Sequence, residues 1–232
     1  MYATNLVRKF AMQVDYCEFA DNMLYDFENH VWVRIREKYV ELGITSIYSS
    51  LAGKLTKVTF KPVMSIVARG QSVATIESVR FFGAVRTPFS SRILEINEIL
   101  QSRPKLANDY PYSDGWMVRL QPEALDGEIK GVCSLVGSEE KIRSIIRDLR
   151  VRCFKAYPDY ELSEIGVECA AVLVRLNELM ERCAVGEVVH VVSDDPTADI
   201  EMVRWSDQTG QSILESRQEG NLTHFIVKKV RE

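Results

Sequence analysis

The feature that most constrains the fold is the spacing of hydrophobic residues, which changes along the chain. Between Met23 and Pro122, apolar and polar residues alternate in short runs, as at residues 31–35 and 57–61, and glycine or proline interrupts these runs. A period of two is typical of half-buried β-strands. Many short strands separated by turns favour a β-sandwich or a β-barrel for this stretch.

Helical spacing appears at other places in the chain. An apolar stripe predicts a helix over residues 138–156, with Ser138 as its N-cap, and consists of Ile142, Ile145, Ile146 and Leu149. Two shorter helices are predicted within the β-rich stretch, at residues 46–53 and 96–102. Residues 1–22 are predicted to form an amphipathic helical extension, with Leu6, Phe10 and Met12 facing the protein.

The last segment has the pattern of a compact α/β unit. Its predicted elements, in order, are a strand at 160–165, a helix at 170–183, a strand at 188–192, a helix at 196–207, and strands at 213–218 and 223–230. Gly220-Asn221 is a hairpin turn signal between the last two strands. The order β-α-β-α-β-β predicts a two-layer sandwich with both helices on one face of a four-stranded sheet.

The fold class predicted from these patterns is α+β with two domains. A helical N-terminal extension at residues 1–22 is followed by a β-sandwich domain at 23–137, a connecting helix and linker at 138–159, and an α/β domain at 160–232. The 232 residues of the chain are enough for two ordinary domains. The net charge is −7 over residues 160–232 and +3 over the rest of the chain, which supports two separately evolved halves.

Charge and hydropathy restrict the classes of partner. The net charge of −4 lacks the basic excess of most nucleic-acid-binding proteins, so no nucleic acid is expected. No apolar run is long enough to span a bilayer, and residues 1–8 lack the pattern of a secretory signal. We therefore expect a cytoplasmic protein without membrane insertion.

The five cysteines have no metal-ligand spacing among themselves or with the three histidines, which are far apart in sequence. No metal site is therefore expected. The odd number and wide spacing of Cys17, Cys133, Cys153, Cys169 and Cys183 favour reduced, structural thiols, of which at most one is reactive.

Residues from about 24 to 122 resemble the H protein of the glycine cleavage system. The matching segments are His30-Val31-Trp32, Leu42-Gly43-Ile44-Thr45, Pro62, Glu77-Ser78-Val79-Arg80, Thr87-Pro88-Phe89-Ser90, Glu95-Ile96-Asn97 and Asp114-Gly115-Trp116. The resemblance implies a lipoyl-type β-sandwich, also called a barrel-sandwich hybrid. It also implies a hairpin tip at which a lysine of the family carries lipoic acid.

Arg80 occupies the position of that lysine. A guanidinium stays protonated and delocalised, so it is a poor nucleophile and cannot take the place of a lysine amine in amide formation. No lysine lies between Gly70 and Arg103, so no lipoyl cofactor is expected. Phe81 and Phe82 also depart from the family, and two interpretations remain open for them: packing onto the C-terminal domain or a partner, or filling of the local core.

Residues from about 160 to 230 resemble the TusA (SirA-like) family of sulfur carriers. The matching features are Gly166-Val167-Glu168-Cys169, Gly186, Ser193-Asp194-Asp195-Pro196, Trp205 and Phe225-Ile226-Val227-Lys228-Lys229. The resemblance implies the β-α-β-α-β-β fold predicted above. It also implies that Cys169 occupies the position of the family's persulfide-forming cysteine.

Two interpretations of Cys169 remain open. A thiol at the start of a helix is expected to have a lowered pKa, which favours persulfide chemistry. However, Ala170 and Val172 replace both prolines of the family's Cys-Pro-x-Pro motif, and a free cysteine is often an ordinary core residue. Asp194-Asp195-Pro196 is interpreted as the cap of the following helix and not as an acid/base pair.

The function predicted from the sequence is that of an accessory protein of sulfur trafficking, with Cys169 as the candidate persulfide carrier. The alternative is a non-catalytic scaffold in which both carrier motifs have lost their chemistry. The chain is expected to be a carrier or binding protein, at most sulfurtransferase-like, and not a stand-alone enzyme. The expected partners are proteins, either a sulfur donor or acceptor or an enzyme that recognises lipoyl domains. Glycine cleavage itself requires Arg80 to be misaligned with the family's lysine.

Overall fold

The computed structural model describes residues 11–124 and 129–232. The chain divides into two compact units, one ending at Cys153 and the other spanning Phe154–Glu232. The predictions for Leu6 and Phe10 lie outside the described residues.

The first unit is rich in β-structure, as its alternating sequence predicts. Its strands are β1 (Ala11–Val14), β2 (Cys17–Ala20), β3 (Leu24–Asp26), β4 (Val31–Ile35), β5 (Val40–Ile44), β6 (Leu55–Phe60), β7 (Ile66–Val67), β8 (Ser72–Ser78), β9 (Phe82–Arg86), β10 (Ser91–Ile96) and β11 (Val118–Pro122). Its helices are α1 (Ser46–Ala52), α2 (Ile99–Ser102), α3 (Leu106–Asp109) and α4 (Glu139–Leu149), with a 3-10 turn at Ile129–Gly131.

Two sheets face each other across the main core of this unit. One has the order β3-β4-β5-β11-β10-β7, and the other has the order β6-β8-β9. The inward side chains of both sheets form one continuous buried cluster that includes Val33, Leu42, Ile76, Val85 and Ile93. Alternation along each strand therefore produces the predicted sandwich, because every second side chain points into the shared core.

The N-terminal segment is a β-hairpin where the sequence predicted a helix. Strands β1 and β2 pair antiparallel around Asp15 and Tyr16, which both have positive φ (44° and 68°). Residues Cys17 and Phe19 of β2 are fully buried, while Glu18 between them is exposed. The prediction of a helix is thus wrong for residues 11–20, because two residues in left-handed conformations reverse the chain there.

Helix α4 is also shorter than predicted and belongs to the first unit. It ends at Leu149, because Arg150 adopts a left-handed conformation (φ 52°) and donates its N–H back to Arg147 and Ile146. Ile142 and Ile146 of α4 pack into a second buried cluster of the first unit, with Phe19, Tyr25 and Trp32 among its members. Ser138 occupies the N-cap position, but its hydroxyl donates to Ser134 O and does not cap an N–H.

A disulfide joins Cys17 of the hairpin to Cys153, which follows α4. The expectation that all five thiols are reduced is therefore wrong for these two. They lie 136 residues apart in sequence and meet only because the hairpin and the segment after α4 pack in the same cluster.

The second unit has the predicted order of elements. They are β12 (Tyr160–Glu164), α5 (Cys169–Arg182), β13 (Val188–Ser193), α6 (Ala198–Thr209), β14 (Ser212–Glu219) and β15 (Leu222–Lys228). The sheet order is β12-β13-β15-β14, with β12 parallel to β13 and the other pairs antiparallel. The apolar stripes of both helices, including Leu176 and Met202, pack with Val189, Val191 and Phe225 in one core.

Candidate functional site

The turn between β8 and β9 in the first unit carries Arg80. The backbone N–H of Ser78 donates to Phe81 O at 2.9 Å and closes the hairpin. The Ser78 hydroxyl donates to Ala52 O at 2.6 Å, which ties the turn to the end of α1. The turn is thus held by both main-chain and side-chain bonds, and we refer to residues 78–82 as the hairpin tip.

The two phenylalanines of the hairpin tip take different positions. Phe81 is half-buried against the main core and meets Tyr48 edge to face, with ring centroids 5.9 Å apart. Gly83 makes room for it, because a Cβ at that position would lie 2.4 Å from the Phe81 ring. Phe82 is 69% exposed. Phe81 therefore fills the local core, as one of the two interpretations predicts, and Phe82 is exposed to solvent.

Arg80 is exposed at the tip, next to Val79, which is 89% exposed. Its backbone N–H lies 3.4 Å from the Ser78 hydroxyl. The tip therefore presents to solvent a cation, Val79 and the Phe82 ring. Arginine and aromatic side chains are the groups that most often anchor protein interfaces.

Cys169 is the first residue of α5 in the second unit. The preceding Glu168 occupies the N-cap position in an extended conformation, and its side chain makes no capping bond. The Cys169 side chain is only 4% exposed and packs in the core with Val172 and Ala198. The position at a helix start is as predicted, and the thiol lies inside the domain.

Asp195 supplies the capping bonds at the starts of both helices. Its Oδ2 accepts the N–H of Cys169 at 2.8 Å. Its Oδ1 accepts the N–H and the hydroxyl of Thr197, the residue before α6, at 2.7 and 2.6 Å. These bonds hold the pKa of the Asp195 carboxyl below its usual range, with the Thr197 hydroxyl as the largest cause. The predicted capping role is present, and the bond to Cys169 adds a second helix to it.

The neighbouring Asp194 has a different role. Its Oδ1 accepts the N–H of Gly166 at 2.8 Å, in the loop between β12 and α5. The two adjacent carboxylates are thus bound to separate backbone groups, which does not fit an acid/base pair.

The thiol of Cys169 differs from the expectation based on the helix start. Burial raises the pKa of the Cys169 thiol, and the carboxylates of Asp195 and Glu201 raise the pKa further. The expected lowering of the pKa is therefore wrong for this conformation. The N-terminus of α5 already has a carboxylate bound to its first N–H, so the neutral thiol is favoured there.

The other two cysteines outside the disulfide are Cys133, which is exposed, and Cys183, which is buried at the end of α5. Cys133 lines a cavity of about 360 Å³ in the first unit, together with Arg69, Gly131 and Lys141. The sequence offered no motif to distinguish it. In this conformation Cys133 is more accessible to reagents than Cys169.

Two histidines that are far apart in sequence meet in the second unit. Nε2 of His190 on β13 lies 2.9 Å from Nδ1 of His224 on β15, because the two strands pair. Both side chains are buried, and the Phe154 ring lies tilted beside that of His190, with the two ring centroids 4.6 Å apart. No group of three or more His, Cys, Asp or Glu side chains with a geometry able to hold a metal ion occurs within residues 11–124 and 129–232.

Comparison with known proteins assigns the first unit. The family model Glycine cleavage H-protein matches residues 23–145, which is more than half of the chain. The chain belongs to the glycine cleavage H-protein family. Residues 160–229 match a second family model, Sulfurtransferase TusA. Below, the first unit is called the H-protein unit and the second the TusA-like unit.

Several relatives cover the H-protein unit. Glycine cleavage system H protein 5 of Aquifex aeolicus (strain VF5) is 31% identical over 145 residues, which are 61% of this chain and 98% of that protein. Probable glycine cleavage system H protein 3 of Sulfurisphaera tokodaii is 38% identical over 119 residues, which are 51% of this chain and 83% of that protein. A crystal structure of a glycine cleavage system H protein from Mycobacterium marinum is 25% identical, covers 53% of this chain and 98% of its own, and has a TM-score of 0.48.

Both family matches agree with the two-part architecture. The fold class predicted from the sequence is confirmed, with an H-protein-like β-sandwich followed by a TusA-like α/β unit. A protein built from these two units has a carrier or accessory role, and both families act through protein partners. Within the part of the chain that the structure describes, no helix is long and apolar enough to span a membrane.

Proposed function

We propose that this chain is an accessory protein of sulfur transfer, in which the TusA-like unit carries sulfur on Cys169 and the H-protein unit docks a partner without carrying a lipoyl group. The observation that carries the proposal is the position of Cys169 as the first residue of α5, in the segment matched by the TusA family. Backbone N–H groups of a first helical turn stabilise an anion on a nearby side chain.

The sulfur-transfer step is a thiol exchange without net oxidation. The Cys169 thiolate attacks the outer sulfur of a persulfide on a donor protein. A bond forms between Cys169 Sγ and that outer sulfur, while the sulfur–sulfur bond within the donor breaks. The donor cysteine leaves as a thiolate, so electrons balance between the two proteins. Because Cys169 is buried and favoured as a neutral thiol, the step requires the partner to open the start of α5.

Site-resolved mass spectrometry tests the sulfur carrier. The protein is incubated with a cysteine desulfurase and cysteine, and each cysteine-containing peptide is then examined. We expect the mass of one additional sulfur on the Cys169 peptide and its loss in Cys169→Ser. The Cys133→Ser variant is the matched control, because Cys133 is exposed and is the thiol most open to non-specific loading. Sulfur found only on Cys133, or on no cysteine, contradicts the proposal.

Intact mass tests the absence of a lipoyl group. After incubation with lipoic acid, ATP and a lipoate ligase, we expect the unaltered chain to keep its mass, because Arg80 has no nucleophilic amine. The variant Arg80→Lys is expected to gain a lipoyl adduct, because the tip that presents residue 80 is already formed and exposed. An adduct on the unaltered chain would overturn this part and favour glycine cleavage.

The exposed tip favours a second candidate function, a non-catalytic interaction subunit. Val79, Arg80 and Phe82 are exposed, whereas Phe81 supports the core, so replacing Phe81 would damage the fold as well as the surface. The informative variant is therefore Val79→Ser/Arg80→Ala/Phe82→Ala. A protein that binds the unaltered chain and Cys169→Ser equally, but not this triple variant, would support the scaffold. Equal binding to the triple variant would exclude the tip as the docking element.

A further inference from the structure

We infer that Asp195 is a positioning residue that keeps Cys169 in its unreactive resting form by holding the start of helix α5, and that sulfur loading requires its carboxylate to leave that position. The inference rests on the proposed sulfur-carrier function, because it names what regulates the same thiol. It arises from a bond between residues 26 positions apart in sequence.

Asp195 is the residue whose side chain caps the N-terminus of α5. The Glu168 side chain makes no capping bond, and the Asp195 carboxylate accepts the Cys169 N–H at 2.8 Å instead. An anionic sulfur on Cys169 would need the same positive end of the helix. Two negative charges at one helix terminus repel each other, so the bound carboxylate and a Cys169 anion exclude one another.

The carboxylate is held firmly from the side of α6. Thr197 donates both its N–H and its hydroxyl to Oδ1, and the Asp195 N–H lies 3.2 Å from the Ser193 hydroxyl. Asp195 therefore joins the start of α5 to the start of α6. A movement that frees the Cys169 N–H must also break or rotate this connection, which makes exposure of the thiol a concerted opening of two helix ends.

The two carboxylates that shift the pKa of the thiol act in the same direction. Asp195 and Glu201, on the α6 side, raise the pKa of Cys169, and Glu168 precedes it in the chain. Of these, only Asp195 also makes a hydrogen bond to the backbone of Cys169 among the described contacts. This difference separates a specific effect of Asp195 from a general effect of negative charge.

Alkylation kinetics test the inference on the full chain. Iodoacetamide reacts with thiolates, and peptide mass spectrometry resolves the rates of Cys169, Cys183 and Cys133 over a series of pH values. In Asp195→Asn we expect faster alkylation of Cys169 at neutral pH and a profile displaced to lower pH, with about tenfold more thiolate for each unit of displacement. Glu201→Gln, which removes a charge that makes no hydrogen bond to Cys169, should have a smaller effect.

Asp194→Asn is the matched control, because it removes the adjacent charge and leaves the bond to Cys169 in place. Its Cys169 profile should equal that of the unaltered protein. Equal profiles for Asp195→Asn and the unaltered protein would overturn the inference, as would an equal gain in Asp194→Asn. A parallel rise at buried Cys183 would also overturn it, because the gain would then reflect general unfolding.

A measurement on the unaltered protein applies even if Asp195→Asn does not fold. The NMR shift of the Cys169 amide proton should titrate at acid pH together with the Asp195 carboxyl, since the two share a hydrogen bond. A constant shift would overturn the inference. Neither readout involves sulfur loading, so a protein that shows both effects but never forms a persulfide would refute the proposed function and retain the role of Asp195.

Discussion

At the residue scale, neighbouring residues of one turn have opposite roles. Arg80 and Phe82 are exposed at the hairpin tip, whereas Phe81 between them packs against Tyr48. The resemblance to the H-protein family implied the hairpin tip, and the arginine at the aligned position predicted the loss of the lysine amine. The sequence left both phenylalanine interpretations open. The choice depends on Tyr48, which is far from the tip in sequence, and on the space that Gly83 leaves for the Phe81 ring.

The substitution Gly83→Ala tests how Phe81 is packed. Its Cβ would lie 2.4 Å from the Phe81 ring and 2.5 Å from the Tyr48 hydroxyl. We expect the free energy of unfolding of the H-protein unit to fall by about 1–3 kcal/mol, the usual cost of overpacking. Urea denaturation measures this change.

A double-mutant cycle identifies the cause of that cost. In Gly83→Ala/Phe81→Ala the ring is absent, so the loss of stability should be smaller than the sum of the two single losses. Additive losses would show that the added methyl group does not meet Phe81.

At the scale of elements, both helices of the TusA-like unit lie where the spacing of their apolar residues predicts them. The N-terminal segment differs, because it forms a hairpin in place of the predicted helix. The apolar stripes of α5 and α6 correctly identify the buried face of each helix, because each helix packs one stripe against the same sheet. The hairpin at residues 11–20 escaped prediction because Asp15 and Tyr16 adopt left-handed conformations without a glycine. Its alternating buried residues, such as Cys17 and Phe19, were the available signal.

The capping carboxylate of Asp195 predicts how stability depends on pH. Its pKa is lowered in the folded protein, so its contribution is complete above the pKa of the unfolded chain and is lost as the pH falls through the folded pKa. We expect the stability of the TusA-like unit to fall as the pH drops below about 4, the ordinary range of an aspartate.

Chemical denaturation at a series of acid pH values, with hydrogen exchange reporting the TusA-like unit, measures this dependence. The slope should be shallower in Asp195→Asn, which has no carboxyl at this position. An unchanged slope in that variant would show that other acids are responsible.

At the scale of the whole molecule, each unit has its own core. The two clusters of the H-protein unit contain only residues up to Cys153, and the core of the TusA-like unit contains only residues from Tyr160 onward. The disulfide joins two parts of the H-protein unit. Perturbing it should therefore affect one unit alone.

Reduction of the disulfide is expected to destabilise the H-protein unit by about 3–5 kcal/mol, because the bond closes a loop of more than a hundred residues. Hydrogen exchange with and without reductant measures the two units separately, and the TusA-like unit should keep its protection. Cys153→Ser should reproduce the loss and show no further response to reductant. Equal loss of protection in both units would contradict the separate cores.

By itself, the sequence determined the two-unit α+β architecture, the order of elements in the TusA-like unit and the loss of the lysine amine at residue 80. These depend on periodicity and on residue chemistry, which are local. Only the tertiary structure decided that Cys17 meets Cys153, that Phe81 is inside and Phe82 outside, and that Asp195 binds the Cys169 N–H. Each of these outcomes depends on residues that are far apart in sequence. No local pattern encodes which distant groups a fold brings into contact.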